Sequence, residues 1–192
     1  MGGRDQNATM STDYSDRFDD TLQRLLPETY NLMSVQAALE ALKDSHTGVI
    51  LAQSFSALMG DRLVRLIRIL ENSDRTATFW YLYNCEPANV SKGIDIRRLQ
   101  DLSEKLRLVR NKTLFHIDKD HVGDSEAVYK QANIIANEVI WAMETIWCVL
   151  NRLYAERTGQ PWGPANGIDL SGMREIFQRD AKNMREKGVI RG

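Results

Sequence analysis

Cysteine, histidine and proline are scarce in this chain, and no apolar run is long. Only two cysteines occur, Cys85 and Cys148, far apart and in no C-x-x-C pattern. That excludes a cysteine-rich zinc module and a dithiol redox site, and it fits a reducing, cytoplasmic setting. The three histidines, His46, His116 and His121, share no metal-ligand spacing. Neither a metal nor any other cofactor is therefore expected. His46 and His121 fall in predicted turns, where a solvated surface histidine is the plain reading. There is no glycine-rich phosphate loop, no H-E-x-x-H and no G-x-S-x-G, which removes the common nucleotide-binding, zinc-protease and serine-hydrolase sites. No stretch approaches the ~18 apolar residues of a membrane span, and no apolar segment near Met1 reads as a secretory signal. The formal net charge of -1 excludes a whole-surface footprint for nucleic acid, though not a local one. Strand-like alternation is missing throughout.

What remains is helical periodicity. The 192 residues suit one domain, with enough chain to bury a core without staples. The pattern predicts an all-α protein, an antiparallel helical bundle with a C-terminal helical appendage. Residues 1–11 are polar and expected to be disordered. Residues 12–158 form the bundle, and residues 159–192 form a Pro/Gly loop and a last helix, Ser171 to Lys187. Phe18, Leu22, Leu25 and Leu26 share a helix face that Pro27 should end. Leu32, Val35, Leu39 and Leu42 then mark a second helix. A third, Val49 to Glu71, buries Phe55, Met59, Leu63, Leu66 and Leu70. Its other side carries Arg62, Arg65 and Arg68, read as a solvated face paired in part with Asp61 and Glu71. Phe79, Trp80, Tyr81 and Tyr83 form a short aromatic helix, read as core or as an interface anchor. A loop over Glu86 to Gly93 follows. Asp95 is the expected N-cap of a basic helix striped by Leu99, Leu102, Leu106 and Val109. Ser125 to Arg157 reads as one long helix. Its Ala132, Ala136, Val139, Met143, Ile146, Leu150 and Leu153 make an a/d seam, with Ile140, Trp147 and Tyr154 beside it. A helix this apolar is either central in its own bundle or shared with a partner chain.

The chemistry concentrates in one stretch, Arg110-Asn111-Lys112-Thr113-Leu114-Phe115-His116-Ile117-Asp118. It closes the basic helix, in which Arg97, Arg98, Lys105, Arg107, Arg110 and Lys112 outnumber Asp95, Asp101 and Glu104. An arginine six residues before a histidine is common by chance, so the wording around the pair carries the signal. On an unbroken helix the two side chains would point about 120° apart. His116, seven residues after Val109, would then lie on the buried stripe. Read that way, it is a core histidine at a polar helix end.

The wording R-N-K-x-x-x-H-x-D-K, between a basic amphipathic helix and a long helix, resembles the HEPN superfamily. Arg110, Asn111 and His116 match its Arg-polar-His signature. Lys112, Asp118 and Lys119, with the upstream Asp61 to Leu66 helix, look like its abortive-infection branch. The resemblance covers about Leu32 to Arg157. It implies a helical homodimer that places two such motifs across a shared cleft. It also implies metal-independent cleavage of RNA by toxins or phage-defence effectors, in some cases beside an antitoxin protein. Other members have lost catalysis and serve as binding modules. The residue types suit the reaction. The substrate's 2′-hydroxyl attacks its own phosphate, one group takes that proton and another protonates the leaving 5′-oxygen. An imidazole can do either near neutral pH. By this resemblance His116 is the proton-transfer residue and Arg110 holds the scissile phosphate. Asn111 orients the imidazole or the phosphate. Lys112, Asp118 and Arg107 are the candidate substrate-binding residues.

Overall fold

The computed structural model describes residues 6–42, 49–72, 76–114 and 125–163, with residues 179, 182, 183 and 186 of a further helix. The described residues are mostly helical, with no strand among them. They form helices α1 (Gln6–Leu42), α2 (Val49–Leu70), α3 (Phe79–Cys85), α4 (Pro87–Val90) and α5 (Ile96–Val109). A π-helical turn (Arg110–Leu114) continues α5, and α6 (Ser125–Ala132) and α7 (Ala136–Thr158) follow. None of the described helices is long and apolar enough to cross a membrane.

Helix α1 corrects the expected break at Pro27, since it runs unbroken through 37 residues. A proline inside a helix costs ~3 kcal/mol through its missing N–H and its ring. Against that stand Phe18, Leu22, Leu25, Leu26, Leu32 and Met33, all buried on one face that continues across Pro27. Each contributes roughly 1.5–3 kcal/mol on burial, so the shared face wins. Pro27 itself is exposed. Buried Thr29 turns its hydroxyl back to Leu25 O at 2.8 Å, so it is not orphaned in the core. The helix starts at Gln6, within the stretch expected to be disordered.

Helix α1 packs against α2, α3 and α7. One contiguous core joins these with α5 and Val90 of α4. Phe79, Trp80 and Leu82 lie inside it, so the aromatic helix is core. The expected loop over 86–93 contains the single turn α4, with Pro87 at its first position, where a missing N–H costs nothing.

The long helix expected over 125–157 is two. Asn133 has φ +49°, in the left-handed region that asparagine tolerates better than most residues. The chain turns there, and α7 starts afresh after Ile135. The turn splits the heptad seam. Ala132 packs with Val109 and Val128 in a small satellite cluster. Ala136 is exposed. Val139, Met143, Ile146, Leu150 and Leu153 are buried in the main core. The apolar surplus of α7 is thus used within its own chain. Trp147 meets Tyr30 and Trp162 at ring-centroid distances of 6.2 and 5.9 Å, which seats the turn after Gly159 on α1 and α7.

Two features hold α5 in register. Asp95 caps it, accepting a bond from Arg98 N at 3.2 Å, as its position predicts. Lys105 donates to both carboxylate oxygens of Glu138 at 2.9 Å, tying α5 to the first turn of α7. Leu99, Leu102, Leu106 and Val109 are all buried, the stripe expected from sequence.

Candidate functional site

The buried stripe of α5 ends at Val109, and the helix changes pitch at the next residue. From Arg110 to Leu114 the turn is π-helical. Such turns close i→i+5 bonds, are rare, and recur where a helix is reshaped for function. Each turn takes more residues than an α turn, so the α-helical angle between Arg110 and His116 no longer applies. His116, Phe115 and Asp118 lie outside the described residues, as do His46 and His121.

Arg110 is half-buried beside the C-terminal end of α2. Its Nη1 donates to the Glu71 carboxylate, and its Nε donates to Asn111 Oδ1 at 3.1 Å. Glu71 follows the last residue of α2, at the negative end of that helix. A carboxylate there is disfavoured unless a cation faces it, and Arg110 supplies the cation. The carbonyl of Leu70 accepts from Trp80 Nε1 at 2.8 Å and from Ser103 Oγ at 2.7 Å. Those bonds clamp α3 and α5 onto the same helix end.

Between these elements lies a cleft of about 420 Å³. Leu70, Trp80 and Leu106 form its apolar part; Glu71, Arg107 and Arg110 bring charge to it. Asp101 and Glu104 also line it. Arg107 donates to Glu104 at 3.1 Å, with both side chains mostly in water. Such a pair contributes ~0–1 kcal/mol, so Arg107 is readily recruited by a ligand. Asn111 is exposed and Lys112 half-exposed on the π turn. Of the site residues expected from sequence, Arg107 and Arg110 are therefore together in one cleft, with Asn111 bonded to Arg110. The described residues hold no group of three or more His, Cys, Asp or Glu placed to bind a metal.

Sequence reasoning missed the partners. From sequence Glu71 is expected to pair with the arginines of its own helix, yet it pairs with Arg110, 39 residues on. The signal available was its place at a helix C-terminus, where an acid needs a distant cation. The three arginines of α2 also part ways. Arg65 pairs with Asp61 at 2.7 Å and with Glu28 at 3.5 Å. Arg68 is exposed. Arg62, read as solvated, is only 4% exposed. It donates to Gln36 Oε1 at 2.6 Å, while its Nε has no partner. Burial pulls its pKa down.

The class these features define is an all-α protein with a charged cleft at a π turn. Comparison with family models, with curated proteins and with solved structures returned no match to this chain.

Proposed function

We propose that this chain is a metal-independent endoribonuclease of HEPN type. Arg110 binds the scissile phosphate and His116 transfers a proton as the 2′-hydroxyl attacks. Asn111 holds the Arg110 guanidinium, and Lys112, Arg107 and Asp118 contact the flanking phosphates or sugars. A second copy supplies the second imidazole, so the working unit is a homodimer. The biological setting is that of a cytoplasmic toxin or phage-defence effector, restrained where needed by an antitoxin protein. No step uses a metal.

One observation supports this reading most. Arg110 is both the first residue of the π turn and a wall of the cleft beside Arg107. A half-buried guanidinium that meets one carboxylate among the described residues can exchange that partner for a phosphate, and its fork then matches the phosphate oxygens.

The test is cleavage of unstructured RNA in excess EDTA, with the ends identified as 2′,3′-cyclic phosphates. Wild type should cleave, and Arg110→Ala and His116→Ala should each lose at least about a hundredfold in rate. Cleavage that needs added metal, or that survives His116→Ala unchanged, overturns the reading.

A second reading is a non-catalytic dimeric helical interaction module. The same ion pair favours it, because an arginine neutralised by Glu71 has a structural role without any ligand. It expects no cleavage under any condition. It also requires dimer contacts elsewhere than Val139, Met143, Ile146, Leu150 and Leu153, which are buried in their own chain.

A further inference from the structure

A second depression, of about 250 Å³, lies on the other flank of the last turn of α2. Arg68 and Ile69 line it from α2, and Arg24 and Glu28 line it from α1. The first cleft uses Ile67 and Leu70, which face the opposite way at helical spacing. Glu71 lines both. The two depressions are therefore neighbours, separated by one carboxylate that Arg110 already neutralises.

The charges in the second depression are unevenly satisfied. Glu28 is engaged by Arg65 and Glu71 by Arg110. Arg24 and Arg68 are both exposed, and neither meets a carboxylate among the described residues. Two guanidinium groups from different helices thus border one hollow without an acid of their own among the described residues. Forks of this kind suit phosphate oxygens and cannot be switched off by deprotonation. A single-stranded phosphodiester chain has the spacing and flexibility to pass from one hollow to the next, with contacts to backbone and no base readout.

We propose that Arg24 and Arg68 form a second phosphate subsite, which extends an RNA strand bound at Arg107 and Arg110 past Glu71 and onto the α1–α2 face. This rests on the reading of the Arg110 cleft as the RNA site. It assigns Arg24 and Arg68 to strand holding and leaves the chemistry at the π turn. It also accounts for why, of the arginines on one side of α2, Arg68 is exposed and meets no acid among the described residues, while Arg62 is buried and Arg65 is paired.

The experiment measures binding of fluorescent 2′-O-methyl oligonucleotides, which lack the attacking hydroxyl and stay intact. Affinity is read against salt for a dinucleotide and for a long single strand. Wild type should bind the long strand more tightly, with a steeper salt slope. Arg24→Ala/Arg68→Ala should lower that slope by about 1.4, at ~0.7 for each phosphate of a single strand that is no longer neutralised. The same variant should remove most of the advantage of length. Arg24→Lys/Arg68→Lys should restore the slope, since a point charge suffices for counterion release. An alanine variant with the wild-type slope and length dependence, while wild type binds RNA, overturns this subsite and leaves the Arg110 reading standing. Wild type that binds neither oligonucleotide overturns both.

Discussion

The C-terminal ends of α5 and α7 are built from similar residues and behave in opposite ways. At the end of α7, Arg157 donates to Asp19 at 2.6 Å, pairs with Glu86 and stacks on Phe18 at 4.0 Å. One turn earlier, Arg152 donates to Asn89 O and Oδ1 at 2.7 Å and to Glu156 at 3.1 Å. Gly159, at φ +76°, closes the helix with a bond from its N–H to Ala155 O at 2.9 Å. That end joins α1, α3–α4 and α7, and both arginines there have several partners. At the end of α5, Arg110 has, among the described residues, one carboxylate and one neighbouring amide, Arg107 has one exposed carboxylate, and the helix loosens into a π turn beside a cleft. Arginines held several ways make a joint. Arginines with one carboxylate each among the described residues, lining a cleft, can be shared with a ligand.

The contrast can be broken by exchanging the fates of two arginines. Arg110→Ala should cost about a hundredfold or more in RNA cleavage and, because its ion pair is partly solvated, no more than about 1 kcal/mol in stability. Arg157→Ala should do the reverse. Two part-exposed ion pairs and one cation–π interaction sum to about 1–2 kcal/mol after allowance for solvent screening. Thermal denaturation and a cleavage assay on both variants check this. If Arg157→Ala abolishes cleavage while its melting temperature is unchanged, the two ends have been assigned the wrong way round.

A smaller effect is expected at the root of α5. Glu138 is 8% exposed and faces Lys105. Lys105→Met would leave a carboxylate buried without its cation, at a cost of about 1–3 kcal/mol; the solvent that reaches Lys105 favours the lower half of that range. Glu138→Gln should cost less, since a neutral amide tolerates burial better than an unpaired charge. The double variant should recover part of the deficit. Melting temperatures of all three settle the order. Equal costs for the two single variants would mean that charge burial is not what the pair manages, and that the stem of α5 is as loosely held as its end.

These regions were not equally legible from sequence. The stripe of α5 and its Asp95 cap were readable because both depend on residues three or four apart on one helix. So was the all-α class, since periodicity is local. The unbroken path of α1 through Pro27 was not readable. The burial that outweighs the proline is supplied by α2, α3 and α7, none of which is visible from the residues around position 27. The heptad run through Ala132 and Ala136 misled for a related reason. Its spacing was regular, but Asn133 could leave the helix at low cost, and the Val109–Val128 cluster gave Ala132 a different place to pack. At the cleft, the cations were legible as a basic helix end. Glu71, Trp80 and Ser103 were not, because the contacts that bring them to Arg110 and Leu70 are tertiary.

The smallest effect uses the two thiols as reporters of the closed end. Cys148 is exposed. Cys85, at the end of α3, is half-buried, and its thiol is pushed up chiefly by burial. A hydrogen bond with Tyr81 opposes that shift, and the nearby Glu86 charge adds to it. Since the thiolate is the nucleophile, Cys148 should be alkylated first in the native protein. The rate at Cys85 should keep climbing as the pH is raised into the alkaline range, because its charged form is disfavoured at neutral pH. Glu86 is also a partner of Arg157, so Cys85 sits against the joint described above. Arg157→Ala should speed alkylation of Cys85 by roughly fivefold or more, the factor that a drop of about 1 kcal/mol in local closure produces. Arg110→Ala should leave that rate alone. Mass spectrometry after timed quenching resolves the two sites. If both arginine variants accelerate Cys85 equally, the two helix ends open together, and the distinction between a joint and an open end does not hold.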